Sequence, residues 1–430
     1  MGDEKTQKCD LTVIGAGIAG MAATLFSANR GISVIQVGDA SEIGFASGLF
    51  DLLGVHPVSK GQRWDNPWAG IETLTRDIPR HPYARLPKTE IAAAFDELLA
   101  FLEDVGLPYH REPNRNATVI THLGTLKTTY CVPQTMWGGV TAFDQKQPCV
   151  LIDFSGLKGF SASLIAGILG KDWPALRAAR IHFPGTEHMD EVLPEHMANA
   201  LVIFENRQKL AQAIRPHVKD AAVVGLPAVL GLYQSPKTTA DLAQLIGIPV
   251  FEIPTMPPSI PGLRLKEAFE RGLREKRTHY FTHCRVLEVK PRANGGFVSV
   301  IGPPNAKRTI LSKGVVLASG RFIGGGLSAD RKHIRETIFD LPVIQPPNRA
   351  AWHREDIFDP RGHPINHAGL EIDEVFRPLN SGGRPAFKTL FAAGSILAHQ
   401  DWKRTKCGVG LAIATAFGAV RAFMDTLGNA

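Results

Sequence analysis

Leu11-Thr-Val-Ile-Gly15-Ala16-Gly17-Ile-Ala-Gly20 decides how the rest of the chain is read. A short apolar strand runs into glycines spaced Gly-x-Gly-x-x-Gly, and an Ala-rich helical stretch from Met21 to Arg30 follows, with Gly31 as its stop. Ile32 to Val37 reads as a second strand, so the segment is one βαβ unit of a doubly wound sheet. Gly15 suits the tight turn out of the strand. Gly17 lets backbone approach a phosphate, and Gly20 lets helix pack on strand. The helix start offers N–H groups and partial positive charge to that phosphate. A structural glycine turn is the alternative.

An acidic residue is expected to close the second strand and bind the ribose hydroxyls of a dinucleotide. The chain has Gln36 there, which can hydrogen-bond a hydroxyl without a carboxylate's charge. Asp39 is a substitute three residues on, and a strand-edge Gln36 with no ligand is the other reading. The departure counts against a dinucleotide and brings a mononucleotide into consideration.

Outward from this unit, residues 38–55 are rich in Gly and Ser and suit a loop lying on a ligand. A helix is expected from Lys88 to Val105, with Gly106 just past its end, and a buried strand over Val150 to Phe154. Ala221 to Leu230 reads as a further apolar strand, and Gly262 to Arg277 as an amphipathic helix. A β-meander follows: Tyr280 to Val289, Gly296 to Ile301, Arg308 to Leu311 and Val315 to Ala318. Thr389 to Ala392 reads as a strand, and Gly408 to Leu427 as the last helix.

The 430 residues allow two to three domain-sized units. Lysine and arginine number 48 against 41 acids, a net charge of +7, with no long basic block, which argues against nucleic acid. The five cysteines, Cys9, Cys131, Cys149, Cys284 and Cys407, are scattered, which argues against a disulfide framework and against an iron–sulfur or zinc site in this chain alone. A reducing cytosol is the natural compartment. The N-terminal stretch lacks a signal-peptide pattern, and no segment reads as a membrane span.

Two further segments match the first in kind. Val315-Val-Leu-Ala-Ser319-Gly320 ends a buried strand in small residues, which lets the chain return close to a nucleotide. Leu390-Phe-Ala-Ala-Gly394-Ser395 is followed by Cys407-Gly408-Val409-Gly410, where glycines start a long helix. That helix start suits negative charge on a cofactor ring, and a tight helix–sheet contact would need the same glycines.

In this order, the three elements resemble flavoproteins of the glutathione-reductase/fumarate-reductase type. Phe45-Ala-Ser-Gly-Leu-Phe-Asp-Leu-Leu53, Thr255-Met-Pro-Pro-Ser-Ile-Pro-Gly-Leu-Arg264, Gly324-Gly-Gly-Leu-Ser-Ala-Asp-Arg331, Ile334-Arg335-Glu336 and Phe376-Arg-Pro378 resemble the B-type subunit of the anaerobic glycerol-3-phosphate dehydrogenase, over nearly the whole chain. The resemblance implies an α/β fold: a Rossmann-like flavin-binding domain with a β-meander and an inserted α+β cap or substrate domain. The flavin-binding parts are 1–75, 256–330 and 376–430. The inserted region is 76–255, and 331–375 is a loop or cap segment.

The resemblance further implies oxidation of sn-glycerol 3-phosphate to dihydroxyacetone phosphate. A catalytic flavoprotein sister and an iron–sulfur membrane-docking subunit would carry electrons to quinone. The chain would be cytoplasmic and reach the inner membrane only through a partner. It implies FMN, in agreement with Gln36 and with Ser395 in place of the common acid; FAD is the alternative. Gly15, Ala16, Gly17, Gly20, Gln36, Ser47, Gly48, Ser319, Gly320, Gly394, Ser395, Gly408, Val409 and Gly410 are the candidate flavin contacts.

Hydride transfer from an alcohol needs a base, and a phosphorylated substrate needs cations. Arg264, Arg331 and Arg335 are the candidate anion contacts, with structural ion pairs as the alternative. His363, His367 and His399 are the candidates for proton handling, against hydrogen-bonded structural histidines. The 363/367 spacing sits among Gly and Pro and does not read as a helical metal pair. Of these, Arg264, Arg335 and His363 are the leading catalytic candidates.

Overall fold

A computed structural model describes residues 6–38, 42–276, 278–303 and 306–428. Asp39 lies outside the described residues. By contact the chain divides into two units. One is Met1–Glu42, Asp51–Leu99 and Phe269–Ala430; the other is Ile43–Phe50 and Ala100–Ala268. Residues 76–99 and 331–375 therefore fall in the first unit, and the division runs through the helices Lys88–Asp104 and Ile260–Glu275.

The first unit holds a seven-stranded sheet. Thr6–Ile14 sits at its centre, parallel to Val34–Gly38 on one side and to Arg308–Leu317 on the other. The meander differs from its sequence reading at both ends. Tyr280–Val289 is two strands: His279–Thr282 pairs in parallel with Val34–Gly38, and Val286–Pro291 pairs antiparallel with Phe297–Ile301. Arg308–Leu311 and Val315–Ala318 merge into one strand, Arg308–Leu317. Gly314 continues that strand, and its lack of Cβ admits Phe423 of the final helix, whose ring would lie 2.5 Å from one. The return strand serves two partners on one edge: residues 308–312 take Phe297–Ile301, and residues 315–317 take Leu390–Ala392 in parallel.

The helix Ile18–Asn29 is buried over most of its length and packs against the final helix, Gly408–Gly428. Phe26 meets Phe417 edge to face at 5.3 Å, and the Arg30 guanidinium lies 4.9 Å from the Phe417 ring centre while it grips Glu97. Burial of a Phe contributes roughly 1.5–3 kcal/mol. Among the described residues Gly408–Gly428 is the one helix long and apolar enough to cross a membrane, a feature the sequence reading did not expect; 67% of that stretch is buried inside the protein. The core here is a helix pair on a sheet, and its apolar composition follows from burial on nearly every face.

The second unit corrects the expected α+β cap. Its main sheet is four-stranded and wholly parallel, in the order Val250–Ile253, Val223–Pro227, Cys149–Phe154, Leu176–Ile181. The connections carry the helices Ala162–Leu169, Phe204–Val218 and Ser235–Ile246. Three of the strands are buried along their whole length, as strands of a parallel sheet commonly are. The unit is thus α/β, with two small two-stranded antiparallel sheets added: Tyr109–His110 with Val132–Pro133, and the hairpin of Ala117–Ile120 with Leu126–Thr129.

Candidate functional site

The first glycine turn has the geometry its spacing implies. Gly15 adopts φ +138°, and a Cβ there would stand 2.1 Å from the Ala318 carbonyl oxygen of the return strand. Its N–H donates to Val37 O at 2.8 Å. A Cβ on Gly20 would stand 2.1 Å from Gly15 O, so helix and turn touch backbone to backbone. Ala16 fills the space beside Gly38. Gly17 differs from the others: a Cβ there would have no neighbour within 4 Å. It caps a helix that has no side-chain cap and no acid in its first turn. The turn therefore presents open space, bare backbone and uncontested N-terminal dipole to an incoming phosphate.

Gln36 is not a ribose contact. Its side chain is fully buried, and Nε2 donates to Gly15 O at 2.8 Å. Gln36 braces the glycine turn from inside the sheet, so its lack of charge says nothing about which nucleotide lies outside. The inference toward FMN loses its footing there.

The other two segments come to the same place. Ala318 N–H donates to Ile14 O at 2.8 Å, which seats the end of the return strand beside the first strand. Ser319 is buried, and its Oγ has no hydrogen-bond partner among the described residues. A Cβ on Gly320 would lie 3.9 Å from Ser395 Oγ. Gly394, at φ +81°, would place a Cβ 2.7 Å from that of Ala19 on the first helix, and its N–H donates to Thr415 Oγ1 at 2.8 Å. Gly15–Gly20, Ser319–Gly320 and Gly394–Ser395 thus form one wall. An open glycine turn and an orphaned buried hydroxyl are what a flavin nucleotide site in this wall would use, and the residues fit that group.

Gly408 and Gly410 serve packing. A Cβ on Gly408 would meet the Trp402 ring at 2.8 Å; one on Gly410 would meet Tyr83 Oη at 2.6 Å and Asp51 O at 2.8 Å. The Gly410 N–H already donates to Asp51 O at 2.8 Å. Val409 lies between them in the first turn of that helix. Cys407 is fully buried beside Thr405, and burial pushes its thiol up to about 12. Ser47 and Gly48 belong by contact to the second unit, where Tyr109 Oη donates to Gly48 O at 2.8 Å and Gly48 packs on Pro261.

The leading catalytic candidates are corrected by their surroundings. Arg264 is a buried structural cation. It grips Glu252 through two bonds of 2.6 and 2.8 Å and donates to Gly231 O, while Glu252 also accepts the Leu230 N–H. Desolvation works against the Glu252 charge, but the guanidinium prevails and holds its carboxyl below the usual range. Arg335 lies on the exposed face of a hairpin, 3.7 Å from Asp330, and Arg331 is exposed at the hairpin's turn. His363 clips a loop: Nδ1 accepts the Arg354 N–H, and Nε2 is 3.1 Å from Ile357 O. That use of both nitrogens argues against proton transfer.

His367 and His399 belong to a cluster the sequence did not reveal. His399, at φ +63°, contacts Glu371 through Nε2 at 2.5 Å, and its N–H donates to His367 O. Burial lowers the His367 pKa. His81 interacts electrostatically with His56, His367 and His399. His81 is fully buried, and burial lowers it to about 3; His56 bonds Asp77 at 2.9 Å. Arg321 donates to Asn366 O at 2.6 Å and Ile365 O at 2.7 Å, and Asn366 in turn donates to Asp401. The one available signal for Arg321 was its position immediately after Ser319-Gly320. His81 is far from the motifs in sequence, and His56, three residues past the Phe45–Leu53 stretch, carried no signal of its own.

The residues of this wall fit a flavin nucleotide, and comparison with known proteins gives the class of the chain. The model of the FAD binding domain family matches residues 10–411, and the chain belongs to that family. Within it, the chain groups with the B-type subunits of anaerobic glycerol-3-phosphate dehydrogenase. The probable B-type subunit from Halobacterium salinarum (strain ATCC 29341 / DSM 671 / R1) is 30% identical over 431 residues, covering 97% of this chain and 98% of its own. Its counterpart from Vibrio vulnificus (strain YJ016) is 27% identical over 425 residues, 96% of each. Among solved structures, 3-ketosteroid delta1-dehydrogenase from Sterolibacterium denitrificans aligns with 98% of this chain and 100% of its own at 12% identity and a TM-score of 0.45. The family match corrects the expected cofactor from FMN to FAD.

Proposed function

We propose that the chain is the FAD-bearing subunit of an anaerobic sn-glycerol-3-phosphate:quinone oxidoreductase. It would work with a catalytic sister flavoprotein and an iron–sulfur subunit that docks the assembly on the inner membrane from the cytoplasmic side. The observation that carries this reading is the meeting of three glycine segments in one wall, in a chain related over nearly its full length to the B-type subunits of that dehydrogenase.

Gly15–Gly17 and the start of Ile18–Asn29 would hold the pyrophosphate, and Ser319–Gly320 with Gly394–Ser395 would line the rest of the cofactor. FAD, when bound, supplies the capacity to take two electrons from an alcohol and pass them on singly. The chain's own residues hold and orient: the return strand fixes the wall, and Gln36 keeps the turn open. His399 is the remaining histidine of the expected set with a carboxylate against its ring, an arrangement that orients an imidazole for proton transfer.

Engagement of Arg264 and His363 in structural bonds favours a second reading, in which this subunit relays electrons and leaves substrate to its sister. The test is the purified complex given sn-glycerol 3-phosphate and a quinone analogue, with the flavin released from this chain identified by mass. Turnover and FAD support the proposal. An intact, flavin-loaded complex without turnover refutes the oxidoreductase assignment.

A further inference from the structure

Arg321 opens the glycine-rich loop Gly320-Arg-Phe-Ile-Gly-Gly-Gly326, which leaves the return strand at the cofactor wall. The Arg321 carbonyl oxygen accepts the Leu327 N–H at 3.3 Å, which closes the loop on itself. Thr337 Oγ1 donates to Gly325 O at 2.7 Å. In a trans peptide the Gly326 N–H must then point the opposite way. Gly325 adopts φ +77°, and a Cβ there would find no neighbour within 4 Å. Successive amides of such a loop can make an anion-binding concavity.

Arg321 is half-buried, and two carbonyls satisfy two of its five N–H donors. Among the described residues no carboxylate pairs with it. Asp401, whose charge it feels, is held by Asn366 Nδ2 at 2.9 Å and caps Arg404 N–H at 3.3 Å. The other groups around it are the His367 imidazole, lowered by burial, and the Phe322 ring, 5.7 Å from the guanidinium carbon. A desolvated cation without a paired carboxylate is costly, and an incoming anion offsets that cost.

We propose that Arg321, with the loop it opens through Gly326, binds the anionic group of the substrate, a phosphate monoester. The proposal rests on the oxidoreductase reading above and moves the phosphate contact from Arg264, Arg331 and Arg335 to Arg321. A planar fork matches phosphate oxygens in a way that a lysine does not.

The test is calorimetric titration of the flavin-loaded full chain with inorganic phosphate, with sn-glycerol 3-phosphate and with glycerol, for wild type, Arg321→Gln, Arg321→Lys and Arg335→Gln. Wild type should bind both phosphate probes in competition and ignore glycerol. Arg321→Gln should weaken both by about tenfold or more. Arg321→Lys should fall between, as a folded variant that keeps charge without the fork, and Arg335→Gln should match wild type. Unchanged phosphate affinity in Arg321→Gln overturns the assignment, as does a wild type that binds neither probe. Loss of flavin from Arg321→Gln also overturns it, by placing the residue on the cofactor. Arg321-dependent binding without turnover in the complex leaves this site standing and removes the oxidoreductase reading; turnover with an unchanged KM in Arg321→Gln does the reverse.

Discussion

Lowering the pH should destabilise this protein through one buried imidazole. His81 is fully buried, its Nδ1 accepts the Tyr83 N–H at 3.2 Å, and its Nε2 has no partner among the described residues. Burial is the main cause that lowers its pKa from 6.5 to about 3, and His56, His367 and His399 add to the effect. The unfolded chain takes up a proton near pH 6.5, whereas the folded chain does not until near pH 3. Stability is therefore full above the unfolded value and falls as pH drops through it. Each pH unit below 6.5 removes about 1.4 kcal/mol, so the loss by pH 5 is about 2 kcal/mol from this residue alone. The assay is urea denaturation at pH 7.5 and pH 5 for wild type and His81→Asn. Asparagine can keep the cap at Tyr83 but binds no proton. The pH-dependent loss should shrink by about 2 kcal/mol in the variant, whatever its stability at neutral pH. An equal loss in both proteins would refute the reasoning.

Three further outcomes follow from the wall and the packing around it. Gly17→Ala should fold within about 1 kcal/mol of wild type, since a Cβ there meets nothing, yet lose most bound flavin; Gly15→Ala, forced into Ala318 O at positive φ, should cost at least about 3 kcal/mol. Absorbance per chain and thermal melts separate the two. Arg264→Met should cost about 3–5 kcal/mol because it strands a buried Glu252, and Arg264→Met/Glu252→Gln should recover part of it; equal stability of single and double variants would remove the buried-pair argument. Cys407, with its thiol pushed up to about 12, should resist alkylation at pH 8 in the native state and react after denaturation, as read by mass spectrometry.

Much of the fold was legible because its signals are local. The Gly15–Gly20 turn, its flanking strands, the helix ending before Gly106 and the final helix each follow from periodicity and glycine placement over a few residues. The doubly wound sheet of the second unit was less legible: its strands are short apolar runs separated by long crossovers, and sequence does not state which run pairs with which. The split of Tyr280–Val289 into strands on opposite edges is the same problem in small.

By itself the sequence determined that a nucleotide-type glycine turn opens the fold and that small-residue segments near 319 and 394 resemble it in kind. It also determined the kinship with the anaerobic glycerol-3-phosphate dehydrogenase flavoproteins. Only the tertiary structure decided what individual polar residues do. Gln36, Arg264 and His363 occupy positions where a ligand contact was expected, yet each is held by a hydrogen bond inside the protein. Arg321 lay unmarked and emerges with donors to spare. The reason is physical: a side chain's role depends on which partners reach it across hundreds of residues, and burial without a partner is a property of packing, not of spacing.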